Sequence, residues 1–274
     1  MASSAIKQRI RQDRQDMATF WIRFSCDGAE GFGTVEGEMV SIHEGGMFAG
    51  SKATGEQVPL SDVTLLAPTA PSKIIALWNN FHALAAKMSM SAPVDPLYLM
   101  KAPSCLAAPG ATIPRPPSYA GRVVYEGELG IVIGRKCSRV TPEAAGDVIF
   151  GYTCVNDITA ADLIAADPTF AQWVRAKSFD GFGPFGPVVA KGLDPSSLTI
   201  RTVLNGQERQ NYPVADMIFQ PYELVSRISH DMTLLPGDLI CCGTSLGVGT
   251  MKEPVNTVEV IIDGIGTLTN GFVQ

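Results

Sequence analysis

Tyr125-Glu126-Gly127-Glu128-Leu129-Gly130-Ile131-Val132-Ile133-Gly134 reads as an extended strand. Side chains alternate between the faces of a strand, so Glu126 and Glu128 point the same way out of an apolar, β-branched context. Two like charges placed so are unfavourable unless a cation lies between them. A second apolar run, Val148-Ile149-Phe150-Gly151-Tyr152-Thr153-Cys154-Val155-Asn156-Asp157, closes on a third carboxylate. Three oxygen ligands from two strand regions suit a hard divalent ion such as Mg²⁺ or Mn²⁺. The same spacing also fits a solvated strand edge with Asp157 in a turn, so spacing by itself leaves both readings open.

Further blocks follow in order: Gly151-Tyr152-Thr153 with Asn156-Asp157, Lys177-Ser178-Phe179-Asp180 with Gly186-Pro187, Met217-Ile218-Phe219, Thr233-Leu234 with Pro236-Gly237-Asp238, and Gly243-Thr244 with Gly247-Val248-Gly249. Together with the opening stretch they closely resemble the catalytic domain of the fumarylacetoacetate hydrolase (FAH) superfamily, from about Lys73 to Gln274. The resemblance implies a mainly β (α+β) protein: an FAH-type mixed β-roll catalytic domain at 72–274, a small N-terminal β module at 19–71, and an N-terminal arm at 1–18. It also implies a homodimer.

For the site, the resemblance implies Glu126, Glu128 and Asp157 as ligands of Mg²⁺ or Mn²⁺, with Lys177 as a catalytic second cation. Gly243 and Thr244 would hold a substrate carboxylate through a backbone N–H and the threonine hydroxyl. Lys101, from the block Lys101-x-x-Ser104, lies on the active-site side, although a lysine ending a strand is usually solvated. Two departures stand out. The family's Asn-Tyr-x-x-His-x-x-Glu lid pattern, set on Asn80-Phe81, meets Leu84 and Lys87 where His and Glu belong. His82 sits two residues early, as a candidate acid/base group or a packing residue. After Asp157, where the family carries a substrate-binding Arg and Gln, this chain has Ala161 and Ile164.

The implied chemistry is that of a small anionic 2-oxo acid passing through a metal-stabilised enolate. The expectation is C–C bond hydrolysis of an acylpyruvate or fumarylpyruvate, or isomerisation in aromatic catabolism. The alternatives are an oxaloacetate-type decarboxylase, a sugar-acid dehydratase and a non-catalytic FAH-fold protein. Hydrolysis must activate water and so needs a base, which gives weight to decarboxylation or isomerisation where the lid pair is missing.

Composition agrees with an enzyme of this kind. The 274 residues can bury a sizeable core, and a net charge of −6 speaks against nucleic acid as a partner. Six cysteines without C-x-x-C spacing read as reduced thiols in a cytoplasmic protein. No apolar run is long enough to cross a membrane. With 27 Gly and 19 Pro the chain should form many short strands and few helices.

Strands are expected at 73–78, 96–101, 197–200, 201–204 and around 258–262, with Asn205-Gly206 as a hairpin turn. Helices are expected at about 79–88, from Thr141-Pro142 onward, and at 221–229. His43 reads as a surface histidine just before a turn at Glu44-Gly45-Gly46, and His230 as a structural residue just past a helix. Two motif matches are refused. Gly243-Thr244-Ser245-Leu246-Gly247 fits a nucleophile elbow, but every histidine lies upstream of that serine. Gly181-Phe182-Gly183-Pro184-Phe185-Gly186 carries a proline where a phosphate-binding loop would enter its helix.

Overall fold

A computed structural model describes residues 18–274. Residues 1–17, which make up nearly all of the predicted arm, lie outside the described part. The chain is mostly strand, arranged in three sheets of twelve, five and three strands. The expectation of a mainly β architecture therefore holds.

The largest sheet is mixed. It runs Ala49–Pro59, Met39–Gly46, Ala29–Glu36, Thr19–Cys26, Gly183–Lys191, Ile149–Asn156, Gly127–Ile133, Leu239–Cys241, Ile74–Trp78 and Leu97–Lys101, with two short strands off that path. The first four form an antiparallel meander from consecutive chain. That meander joins the rest of the sheet through antiparallel pairing of Thr19–Cys26 with Gly183–Lys191. Leu239–Cys241 pairs in parallel with Ile74–Trp78, which makes the sheet mixed.

Gly127–Ile133 is the central strand, and all seven of its residues are buried. Alternation sends Leu129, Ile131 and Ile133 into a core shared with Ile200, Val260, Ile262 and Leu268 of the five-stranded sheet. Val132 joins Val155, Phe185, Val189 and Leu239 on the other side. Glu126 and Glu128 share the parity of Val132, so the strand carries its carboxylates on the face away from the five-stranded sheet.

Several expectations need correction. The two strands placed at 197–200 and 201–204 are one, Thr199–Leu204, because Pro195–Ser197 forms a 3-10 turn capped by the Asp194 side chain. It turns at Asn205-Gly206 into Gln207–Pro213, as expected. The turn expected at Glu44-Gly45-Gly46 is strand, and His43 inside Met39–Gly46 is half-buried, with Nδ1 2.8 Å from the Ser51 hydroxyl and its ring edge-on to Trp21. The helix from Pro221 runs on to Asp231, so His230 belongs to its last turn, where Nδ1 lies 2.9 Å from the Ser226 carbonyl. Pro142–Ala145 does form a short helix with Thr141 at its N-cap position, but the threonine side chain makes no capping bond.

Candidate metal centre

The Glu126-Gly127-Glu128 stretch sits where the chain changes sheets. Val123–Tyr125 belongs to the three-stranded sheet and Gly127–Ile133 to the largest one, with Glu126 at the break. The Glu126 N–H donates to the Asn156 side chain at 3.1 Å, and its carbonyl accepts the Asp157 N–H at 2.8 Å. These two bonds hold the ends of neighbouring strands together. One ligand oxygen from each of Glu126, Glu128 and Asp157 consequently lies within 4.8 Å of the others.

Two buried lysines enter this cluster. Lys177 ends the short helix Trp173–Lys177 and donates to Glu126 Oε2 at 2.9 Å, Asp157 Oδ2 at 2.5 Å and Thr159 Oγ1 at 2.7 Å. Lys101, at the end of Leu97–Lys101, donates to Asp157 Oδ1 and, at 2.9 Å, to the Phe182 carbonyl. Lys101 is 2% exposed, so the general expectation that a strand-end lysine is solvated fails for this one. Its methylene stem lies in the sheet interior and its ammonium finds a carboxylate there.

Electrostatics follow from these contacts. Burial pushes the Asp157 carboxyl upward, but the two ammonium groups outweigh it and bring it below its ordinary value. Burial likewise works against the charge on Lys177, yet Asp157, Glu126 and Glu128 hold its pKa above that of an ordinary lysine. Lys101 is also raised, by Asp157 against burial. Both lysines are therefore charged at neutral pH and act as donors, not bases. Glu128 differs: burial, then the Asp157 carboxylate, push it well above the ordinary carboxylate range.

The residues fit a divalent cation. Glu128 Oε1 is buried and has no hydrogen-bond partner among the described residues. A carboxylate oxygen buried without a partner is costly unless a cation meets it. With all three carboxylates ionised around it, a divalent ion would bring the cluster, its two ammonium groups included, to one net positive charge. The donor set is oxygen throughout, as Mg²⁺ and Mn²⁺ prefer.

The loop after Leu239–Cys241 serves the carboxylates directly. The Gly243 N–H donates to Glu128 Oε2 at 2.8 Å, and the Thr244 hydroxyl donates to the Gly127 carbonyl at 3.1 Å. Both groups, expected to hold a substrate carboxylate, here meet the ligand strand: Gly243 bonds Glu128, and Thr244 shares the Gly127 carbonyl with the Tyr212 hydroxyl. Ser245, the false nucleophile, is fully buried. His82 opens the helix His82–Lys87 and is exposed, while Ala85 turns inward and Leu84 packs on the main core. Among the described residues His82 makes no hydrogen bond to the carboxylate cluster.

Gln210 and Tyr212 were absent from the sequence reading. Gln210 Oε1 accepts the Gly127 N–H at 3.0 Å and its Nε2 donates to Thr244 Oγ1 at 2.9 Å, while the Tyr212 hydroxyl donates to the Gly127 carbonyl. Gly127 has to be glycine, since a Cβ there would lie 2.0 Å from Thr202 Oγ1. The Asn205-Gly206 hairpin signal was the one hint that a strand would return past this point.

The fold and the carboxylate cluster together define a mixed β protein with a candidate metal centre. The chain belongs to the fumarylacetoacetate hydrolase family of enzymes: residues 73–273 match the model of the fumarylacetoacetate (FAA) hydrolase C-terminal domain. Residues 21–68 match the Rv2993c-like N-terminal model. The chain is 38% identical over 224 residues to oxaloacetate tautomerase YisK of Bacillus subtilis, covering 77% of this chain and 73% of that protein. It is similar to the crystal structure of 2-hydroxyhepta-2,4-diene-1,7-dioate isomerase from Mycobacterium marinum, with a TM-score of 0.85, 37% identity and 93% and 98% of the two chains covered. It is also similar to maleylpyruvate hydrolase from Sphingobium sp. SYK-6, solved with manganese(II) and pyruvate, with a TM-score of 0.73, 26% identity and 93% and 99% covered. No helix among the described residues is long and apolar enough to cross a membrane.

Proposed function

We propose that this chain is a divalent-metal-dependent isomerase that interconverts the keto and enol forms of a small 2-oxo acid of the oxaloacetate type. The observation that carries this reading is the make-up of the cluster: three carboxylates and two charged ammonium groups, with no histidine hydrogen-bonded to them among the described residues. A bound Mg²⁺ or Mn²⁺ supplies Lewis-acid stabilisation of developing enolate charge. Glu126, Glu128 and Asp157 would hold the ion. Lys177 is the second positive charge, placed to hydrogen-bond an oxygen that becomes negative. Lys101 keeps Asp157 ionised and fixed in place.

Keto/enol exchange moves protons only. Exchange takes a proton from C3 and returns one to the 2-oxo oxygen, with solvent water as the carrier; C–C hydrolysis must in addition make water a nucleophile at a carbonyl, and no histidine among the described residues is bonded to the cluster for that step. Likeness to a tautomerase and a diene-dioate isomerase supports the isomerase reading, and likeness to a manganese-bound hydrolase supports the metal. The direct test is to follow loss of the ultraviolet enol band of oxaloacetate with Mn²⁺ and after chelation, with pyruvate assayed in parallel. We expect metal-dependent loss of the enol with little pyruvate formed. Faster cleavage of an acylpyruvate than tautomerisation would overturn the isomerase reading in favour of hydrolysis.

A further inference from the structure

Glu126 and Glu128 flank a single residue, Gly127, so the orientation of its N–H and C=O decides where both carboxylates point. The ladder between Gly127–Ile133 and Leu239–Cys241 begins only at Gly130. On approach to the carboxylates, side chains take the place of a partner strand. Gln210 accepts from the Gly127 N–H, and Tyr212 and Thr244 both donate to the Gly127 carbonyl.

The same side chains hold the opposite wall. Gln210 Nε2 donates to Thr244 Oγ1 at 2.9 Å and lies 3.4 and 3.3 Å from the carbonyls of Ser245 and Leu246. That loop carries the Gly243 N–H that meets Glu128. It lies directly against the Gln207–Pro213 strand, for a Cβ on Gly247 would stand 2.0 Å from the Arg209 carbonyl, and the φ of +95° there favours glycine. Tyr212 is anchored in turn by its ring, edge-on to Phe81 at 4.9 Å. Gln210 is 1% and Tyr212 5% exposed, so neither side chain is free to choose other partners.

We infer that Gln210 and Tyr212 are positioning residues that lock the Gly127 peptide and the Gly243–Leu246 loop together, and thereby set the aim of the Glu126 and Glu128 carboxylates at a bound cation. This rests on the metal reading of the site proposed above. Groups that orient metal ligands in this way are typically worth about 10–100-fold in metal affinity.

The test is an equilibrium Mn²⁺ titration, read from the electron paramagnetic resonance signal of free Mn²⁺, on the full chain and on Gln210→Ala and Tyr212→Phe. Melting temperatures of the metal-free proteins are taken alongside. Tyr212→Phe keeps the ring against Phe81 and removes only the hydroxyl, so it guards against the harsher variant failing to fold. We expect Mn²⁺ Kd to rise about 10–100-fold in Gln210→Ala and to rise in Tyr212→Phe, whose metal-free melting temperature stays near that of the parent. Unchanged Kd in both variants, with or without lower melting temperatures, overturns the inference and leaves the site reading intact. Absence of Mn²⁺ uptake by the unsubstituted chain would remove the site reading and the inference with it.

Discussion

Lys177→Met lowers kcat for keto/enol interconversion by about 10²–10³-fold, the usual cost of removing one donor aimed at developing negative charge. It does so without weakening Mn²⁺ binding. In the parent chain Lys177 bonds Glu126 Oε2 and Asp157 Oδ2 and would compete with a cation for them, so its removal should leave the carboxylates more available to metal. Methionine retains much of the buried stem volume, and Lys101 still neutralises Asp157. The two readouts therefore move apart: turnover falls while Mn²⁺ affinity holds or rises. Steady-state kinetics at saturating Mn²⁺, combined with a Mn²⁺ titration, measure both. Unchanged kcat would show that Lys177 is a structural counter-charge only.

Asp238→Ala destabilises the chain by about 3–5 kcal/mol, the range for breaking a buried pair from one side. Asp238 is fully buried and its two oxygens accept five bonds: from the Ser72 N–H and hydroxyl, the Lys73 N–H, the Lys73 ammonium at 2.5 Å, and the Leu235 N–H. Alanine would leave three backbone N–H groups without acceptors. Lys73 is partly exposed and can rehydrate, so the loss comes mainly from those orphaned donors and from the unfastened segment before Ile74. For a chain of this size the melting temperature should fall on the order of 10 °C. Thermal unfolding followed by circular dichroism measures it, and an unchanged melting temperature would contradict the account. Asp238 touches none of the candidate metal ligands, so activity per folded molecule should persist.

Much of this was legible in the sequence, for identifiable reasons. Strand alternation put Glu126 and Glu128 on one face, and the apolar run ending at Asp157 signalled a neighbouring buried strand; the structure brings all three together. Ordered motif blocks pointed to Lys177, which does lie among the carboxylates. What the sequence withheld depends on packing between sheets. Gln210 lies 83 residues from Gly127, and no local pattern says that its amide will replace a missing strand partner. The burial of Lys101 was hidden because a lysine at a strand end is usually solvated, and only the sheet around it excludes water. The polar atoms of Gly243 and Thr244 turn to Glu128 and Gly127, contacts between distant segments that no local pattern announces. His43 misled because Glu44-Gly45-Gly46 looks like a turn, whereas pairing with Ala49–Pro59 carries the strand through it.

The central claim is that Glu126, Glu128 and Asp157 form a divalent-metal site on which turnover depends. The measurement that tests it most directly is Mn²⁺ binding by isothermal titration to the chelator-stripped chain and to Glu128→Gln, with enol turnover assayed on the same samples. One ion should bind per chain, activity should return in step with occupancy, and both should be lost in Glu128→Gln. Full activity of the stripped chain, or parent-like Mn²⁺ binding by Glu128→Gln, would contradict it.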